Sequence, residues 1–188
     1  LTTAVLAIAV FTTLQSFTLL IRGHRSHTPA NYMLMLWLGI VCVFVVMLFL
    51  IGTGIIVRIP WLYRLPSPLY YLAFPAAWLY VRMILKDEIG LKKTDMLHAI
   101  PALLHLIEMS PYYFSSYDHK LATVMADLGS PLGGFRHAEG FLPTYLHNLF
   151  RGAQAIGYSM AMALLTRKFY QNNKSEIIRF EKVLKWIK

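Results

Sequence analysis

Long uncharged stretches alternate with short charged ones along the chain. Residues 1–21 hold no Asp, Glu, Lys or Arg, and charge enters with Arg22 and Arg25 around His24. Asn31 to Val57 is a second uncharged run, closed by Arg58, Pro60 and Arg64. A third apolar stretch, 68–85, is punctuated by Pro68 and Pro75 and ends in Arg82, Lys86, Asp87 and Glu88. A weaker fourth, 96–110, carries His98, Pro101, His105 and Glu108 before Pro111. After a polar connection, 143–166 is interrupted only by His147 and Arg151. A helix of about 20 predominantly apolar residues crosses a bilayer. The pattern therefore predicts an all-α integral membrane helical bundle of about five transmembrane helices, spanning 1–21, 31–57, 68–85, 96–110 and 143–166.

Between the last two segments, Tyr117 to Leu128 reads as a short surface helix. Tyr112, Tyr113, Phe114 and Tyr117 read as anchors at the membrane interface, and Tyr70, Tyr71, Trp78 and Tyr80 as interface belt and helix packing. Residues 172–188 read as a cytoplasmic juxtamembrane connector. Within it Ser175 to Lys188 has the pattern of an amphipathic helix: Ile178, Val183 and Trp186 on one apolar face, basic residues over the rest. The lipid bilayer is the expected partner. The apolar face of the connector calls for cover by further spanning helices, the inner leaflet or a second protomer in a homodimer.

Composition strengthens this reading. Hydrophobic residues make up 57% of the 188 residues and charged ones 14%, against about a quarter charged in an ordinary soluble domain. Mean hydropathy is +0.52. The net charge of +9 is distributed beside apolar runs, as in the positive-inside pattern, rather than in one nucleic-acid-binding patch. With alternate connections assigned to two sides, Arg22, Arg25, Lys86, Lys92, Lys93, Arg167 and Lys168 face Arg58, Arg64, Lys120 and Arg136, seven against four. That places the N-terminus outside and the C-terminus in the cytoplasm. The single cysteine, Cys42, excludes an internal disulfide and a multi-thiol metal site. The chain opens apolar without Met and closes within a helical pattern, so a fragment of a longer protein is expected.

Ionisable groups within apolar segments are costly and mark candidate sites. His98 and His105 are two helical turns apart, and Glu108 follows His105 by three, so a helix sets them on one face. Glu108 and Arg151 are expected at similar depth, as an ion pair. The cluster His98, His105, Glu108, His147 and Arg151 then has two readings: polar groups locking helices together, or a site for an outer ligand or proton. A metal held by His105, Glu108 and His147 is the weakest alternative, because the sequence spacing ties only two ligands together. No metal and no cofactor are expected. Arg82 is expected to snorkel to the headgroups. No Gly-x-Ser-x-Gly, His-Glu-x-x-His or phosphate loop occurs, and no enzyme activity is expected.

Four pieces in order carry a family resemblance. PLYYLAFPAAWLYVRMILKDE, 68–88, with Pro75, Tyr80 and Arg82, resembles the proline- and tyrosine-rich third helix of bacterial membrane-bound AraC-type helix-turn-helix transcriptional regulators. DMLHAIPALLHLIEMSPYY, 95–113, with His98 and Pro101, resembles the segment that follows it. LFRGAQAIGYSMAMALL, 149–165, is similar to that family's Arg-x-x-Gln-x-x-x-Tyr helix, here Arg151, Gln154 and Tyr158, and SEIIRFEKVLKWIK resembles its connector. The resemblance implies a multi-pass domain of the bacterial inner (cytoplasmic) membrane. It would receive an unidentified signal and pass it to a DNA-binding domain absent from 1–188, with DNA a partner only through that domain. A histidine-kinase sensor, a small-solute transporter and a membrane enzyme are the alternative functions.

Overall fold

A computed structural model describes residues 2–23, 28–129 and 139–174. Its seven described helices are α1 (Thr2–Gly23), α2 (Pro29–Gly52), α3 (Tyr70–Lys86), α4 (Ile100–Glu108), α5 (Ser110–Tyr113), α6 (Tyr117–Leu128) and α7 (Thr144–Asn172). Short 3₁₀ turns at Ile55–Arg58, Pro60–Leu62, Ser67–Leu69 and Lys93–Ala99 join them. The connector residues Ile178, Val183 and Trp186 lie outside the described residues.

The helical class holds, but the five-span bundle does not. Among the described residues only α2, Pro29–Gly52, is long and apolar enough to cross a membrane. The orientation drawn from alternating connections loses its basis with the five spans. Each failed segment has a local cause. The apolar part of α1 is the shorter Ala7–Thr18. Pro66 and Pro68 withhold backbone donors, so the third stretch starts as 3₁₀ turns and leaves a 17-residue helix. Segment 96–110 divides into a 3₁₀ turn and a nine-residue α4 with Pro101 in its first turn, and α4 ends before Pro111, which cannot donate to the Ile107 carbonyl. α7 reaches 29 residues, but Arg151, Gln154, Arg167 and Lys168 interrupt its apolar surface.

α2 starts where Thr28 accepts a hydrogen bond from Asn31 N, with Pro29 in the first turn, where its missing N–H costs nothing. It ends at Thr53 and Gly54, the latter at φ 73, a conformation glycine adopts without strain. α2 packs between α1 and α3, and α3 packs on α7. The Cys42 thiol donates to the Thr13 carbonyl of α1 at 3.4 Å. α6 has the bounds expected from sequence: Ser116 caps it by accepting from His119 N, and Asp118 favours the positive end of the helix dipole.

The core lies around the C-terminal part of α2, where Met47, Ile56, Tyr63, Met109, Tyr112 and Val124 come together. Tyr112, expected at a membrane interface, is 1% exposed within this core, whereas Phe114 is 90% exposed. Arg64 pins the loop above it. Its guanidinium reaches Glu139 at 2.7 Å and Asp127 at 3.4 Å, and Tyr63 OH donates to Asp127 at 2.5 Å.

Arg82 does not snorkel to the surface. It is buried and donates to both Asp95 carboxylate oxygens at 2.6 Å and to Glu88 at 2.9 Å. Asp95 also accepts from Lys92 N at 2.8 Å. This fork holds the Lys93–Ala99 turn against α3 and so sets where α4 begins.

Candidate functional site

The last turn of α4 and the first turns of α7 face each other across the start of α3. Helical spacing puts His105 and Glu108 on one side of α4. α7 enters from the Glu139–Pro143 segment and brings His147 and Arg151 onto the same ground, one turn apart. The segment passes so close that Gly140 has no room for a side chain: a Cβ there would lie 2.6 Å from the Glu108 backbone oxygen. Leu142 N donates to Glu108 Oε1 at 2.9 Å, which fixes one carboxylate oxygen and turns the other inward.

Glu108 Oε2 lies 3.0 Å from His147 Nε2 and 3.5 Å from His105 Nδ1. The two imidazole centroids are 4.6 Å apart. All three atoms are buried, yet none makes an aligned hydrogen bond. One donor atom from each residue falls within 4.8 Å of the others. On its far side, His105 Nε2 is 2.9 Å from Ser67 Oγ and 3.2 Å from Arg151 Nη2. Burial, with Arg151 beside it, pushes His105 down to about 3, so the ring is neutral at ordinary pH.

The structure pairs Glu108 with two histidines rather than with Arg151. The Arg151 guanidinium lies over the rings of Tyr71 and Tyr70, at 5.1 and 5.6 Å from their centroids, and reaches the Ser67 carbonyl at 3.5 Å. Gln154 donates to the Tyr71 carbonyl at 3.1 Å, and Tyr71 OH donates to the His147 carbonyl at 3.3 Å. These bonds fasten α7 to α3.

His98 falls away from the cluster. It sits on a 3₁₀ turn, so the two-turn spacing to His105 does not set them on one face. It bonds instead to Tyr158 OH at 2.5 Å. Pro75 is buried in α3 and Tyr80 is partly buried there. Ser67 was missed: a serine between two prolines gives no signal of its own. Asp95 does not stand out as a site residue in the sequence, because its partner Arg82 lies on a separate element and Lys92 lacks the side-chain acceptor of a capping box. Tyr71, expected at the membrane interface, lies against His105 at 5.0 Å between ring centroids.

A cleft of about 370 Å³ opens beside the cluster. Pro101, Leu104, Leu142 and Phe150 supply apolar walls, while His105, Glu108 and His147 stand at its inner end. Leu104 and Phe150 are exposed, so the cleft opens on their side. Its volume falls in the range of small-ligand sites, apolar with a few convergent polar groups. No family model matches this chain, and no curated protein or solved structure matches it either.

Proposed function

We propose that this chain is a membrane-anchored, signal-receiving domain whose ligand enters the cleft between α3, α4 and α7. α2 is the anchor, in the cytoplasmic membrane of a bacterium. The output is a C-terminal AraC-type DNA-binding domain beyond residue 188. The observation that supports a ligand site is the cleft itself: apolar walls ending on three buried, convergent polar side chains whose inward atoms lack aligned hydrogen bonds. The cleft is built from separate helices, so a ligand that fills it favours one packing of α7 against α3 and α4. Such a difference in affinity between two arrangements is what shifts a population. The regulatory output rests on the resemblance of 68–88, 95–113 and 149–165 to membrane-bound regulators.

The test is transcript sequencing in the bacterium that carries the gene. It compares a deletion, the wild type and Leu104→Trp, which fills the cleft from its exposed rim. The expected result is a defined set of transcripts that changes on deletion and is held at one extreme by Leu104→Trp. Identical transcripts in all three strains would overturn the reading.

A further inference from the structure

Glu108 offers one oxygen inward because its other oxygen is held by Leu142 N. His105 offers Nδ1 inward because Ser67 holds its Nε2 side. His147 offers Nε2 from the first turn of α7. A buried carboxylate oxygen facing two imidazole nitrogens without aligned hydrogen bonds is costly as a finished arrangement. It is the arrangement a cation completes. Two imidazoles and one carboxylate are borderline ligands suited to zinc and its first-row neighbours, whereas calcium and magnesium prefer all-oxygen shells. Ligand distances of about 2.0–2.2 Å in a tetrahedron place donor atoms roughly 3.3–3.6 Å apart. The separations of 3.0 and 3.5 Å from Glu108 Oε2 are close to that, and all three donor atoms lie within 4.8 Å of one another, so the two imidazoles close by up to about an ångström to complete the shell.

We propose that His105, Glu108 and His147 bind one divalent transition-metal ion of the zinc class, with its fourth position turned to the apolar cleft; the proposal rests on reading that cleft as a ligand site. For Nδ1 to coordinate, Nε2 carries the proton and Ser67 Oγ accepts it, the outer hydrogen bond that fixes the ring. The Arg151 guanidinium, a donor only and 3.2 Å from Nε2, then gives up that contact for the Ser67 carbonyl, which it already reaches at 3.5 Å. Arg151 works against the ion through its positive charge, and the Glu108 carboxylate offsets it. With three protein ligands and an open position, the metal would take a small anionic or neutral donor group whose apolar remainder lies against Leu104 and Phe150.

The test uses the full-length protein in detergent, stripped with a chelator and titrated with Zn²⁺ by calorimetry. One equivalent is expected to bind. Glu108→Gln keeps the acceptor for Leu142 N, and His147→Gln keeps a polar side chain of similar reach. Each is expected to lower the affinity at least about tenfold, the size that losing even an outer partner produces, with helix content unchanged by circular dichroism. His119→Gln, at an exposed residue of α6, is expected to bind as wild type does. Wild-type protein that binds no zinc overturns the proposal, as does folded His147→Gln of unchanged affinity. Should that variant lose helix content, Co²⁺ added to the wild type decides: the intense visible bands of a tetrahedral site support the proposal and their absence overturns it. Absent zinc binding together with an altered transcript set in Leu104→Trp removes the metal and leaves the cleft reading. Zinc binding with no transcriptional effect of deletion does the reverse.

Discussion

His147 holds its Nε2 3.0 Å from Glu108 Oε2, joining the first turn of α7 to the last residue of α4. Gly140 makes this meeting possible, since its backbone lies against Glu108 where a Cβ would collide with the Glu108 main chain. Gly140→Ala is therefore expected to push the segment off α4 and break the Leu142 N bond to Glu108. Overpacking of this kind costs about 1–3 kcal/mol. Thermal unfolding in detergent should show a fall in Tm of several degrees, and an unchanged Tm would mean that the segment yields freely.

Asp95 is held well below the usual carboxylate range, at about 2, chiefly because Arg82 donates to both of its oxygens. A depressed folded-state pKa contributes stability that is complete above the unfolded value of about 4 and is lost as pH falls through the folded one. Wild-type protein should therefore lose part of its stability between about pH 4 and pH 2. Asp95→Asn should lack that part of the acid limb and be less stable at neutral pH by about 3–5 kcal/mol, because Arg82 keeps its burial and loses a charged partner. Denaturation followed against pH for both proteins checks the sign. Parallel acid limbs would show that Asp95 does not carry it.

Arg64 adopts φ 64, a left-handed conformation that most side chains avoid. Glycine would relieve the backbone there, yet the guanidinium is tied to the buried carboxylates of Glu139 and Asp127. Stranding buried charges costs about 3–5 kcal/mol, more than the roughly 1–3 kcal/mol that the backbone conformation stores. Arg64→Gly should thus destabilise the protein despite the favourable φ. Equilibrium unfolding measures the difference, and a stabilised variant would show that backbone strain outweighs the ion pairs.

Phe44 lies in the central part of α2 and is 46% exposed, with its ring edge-on to Tyr70 at 5.4 Å. If α2 crosses the membrane, Phe44→Arg adds roughly 2.5–3.5 kcal/mol to the cost of insertion. Carbonate extraction of membranes should release more of this variant than of wild type or Phe44→Leu. Equal retention of all three would argue that α2 does not depend on the bilayer core.

Local chemistry wrote part of this structure into the sequence. The uncharged run of α2, the bounds of α6 at Tyr117 and Leu128, and the three-residue spacing of His105 and Glu108 are all properties of neighbouring residues, so a local reading reveals them. The same local reading counted too many spans, since it weighed apolar content without the proline-made 3₁₀ turn before α3 and the turn after Lys92 that Asp95 and Arg82 hold. Only the tertiary structure decided which polar groups meet. His98 turned to Tyr158, Arg82 to Asp95 and Arg151 to the tyrosine rings, while Ser67 and His147 closed on His105 and Glu108. Apart from Arg82 and Asp95, which a turn of the chain joins, these partners stand far apart in sequence. Their meeting depends on where α7 crosses α3 and α4, which is set by packing and by the close pass of Gly140, and no period in the sequence encodes a crossing point.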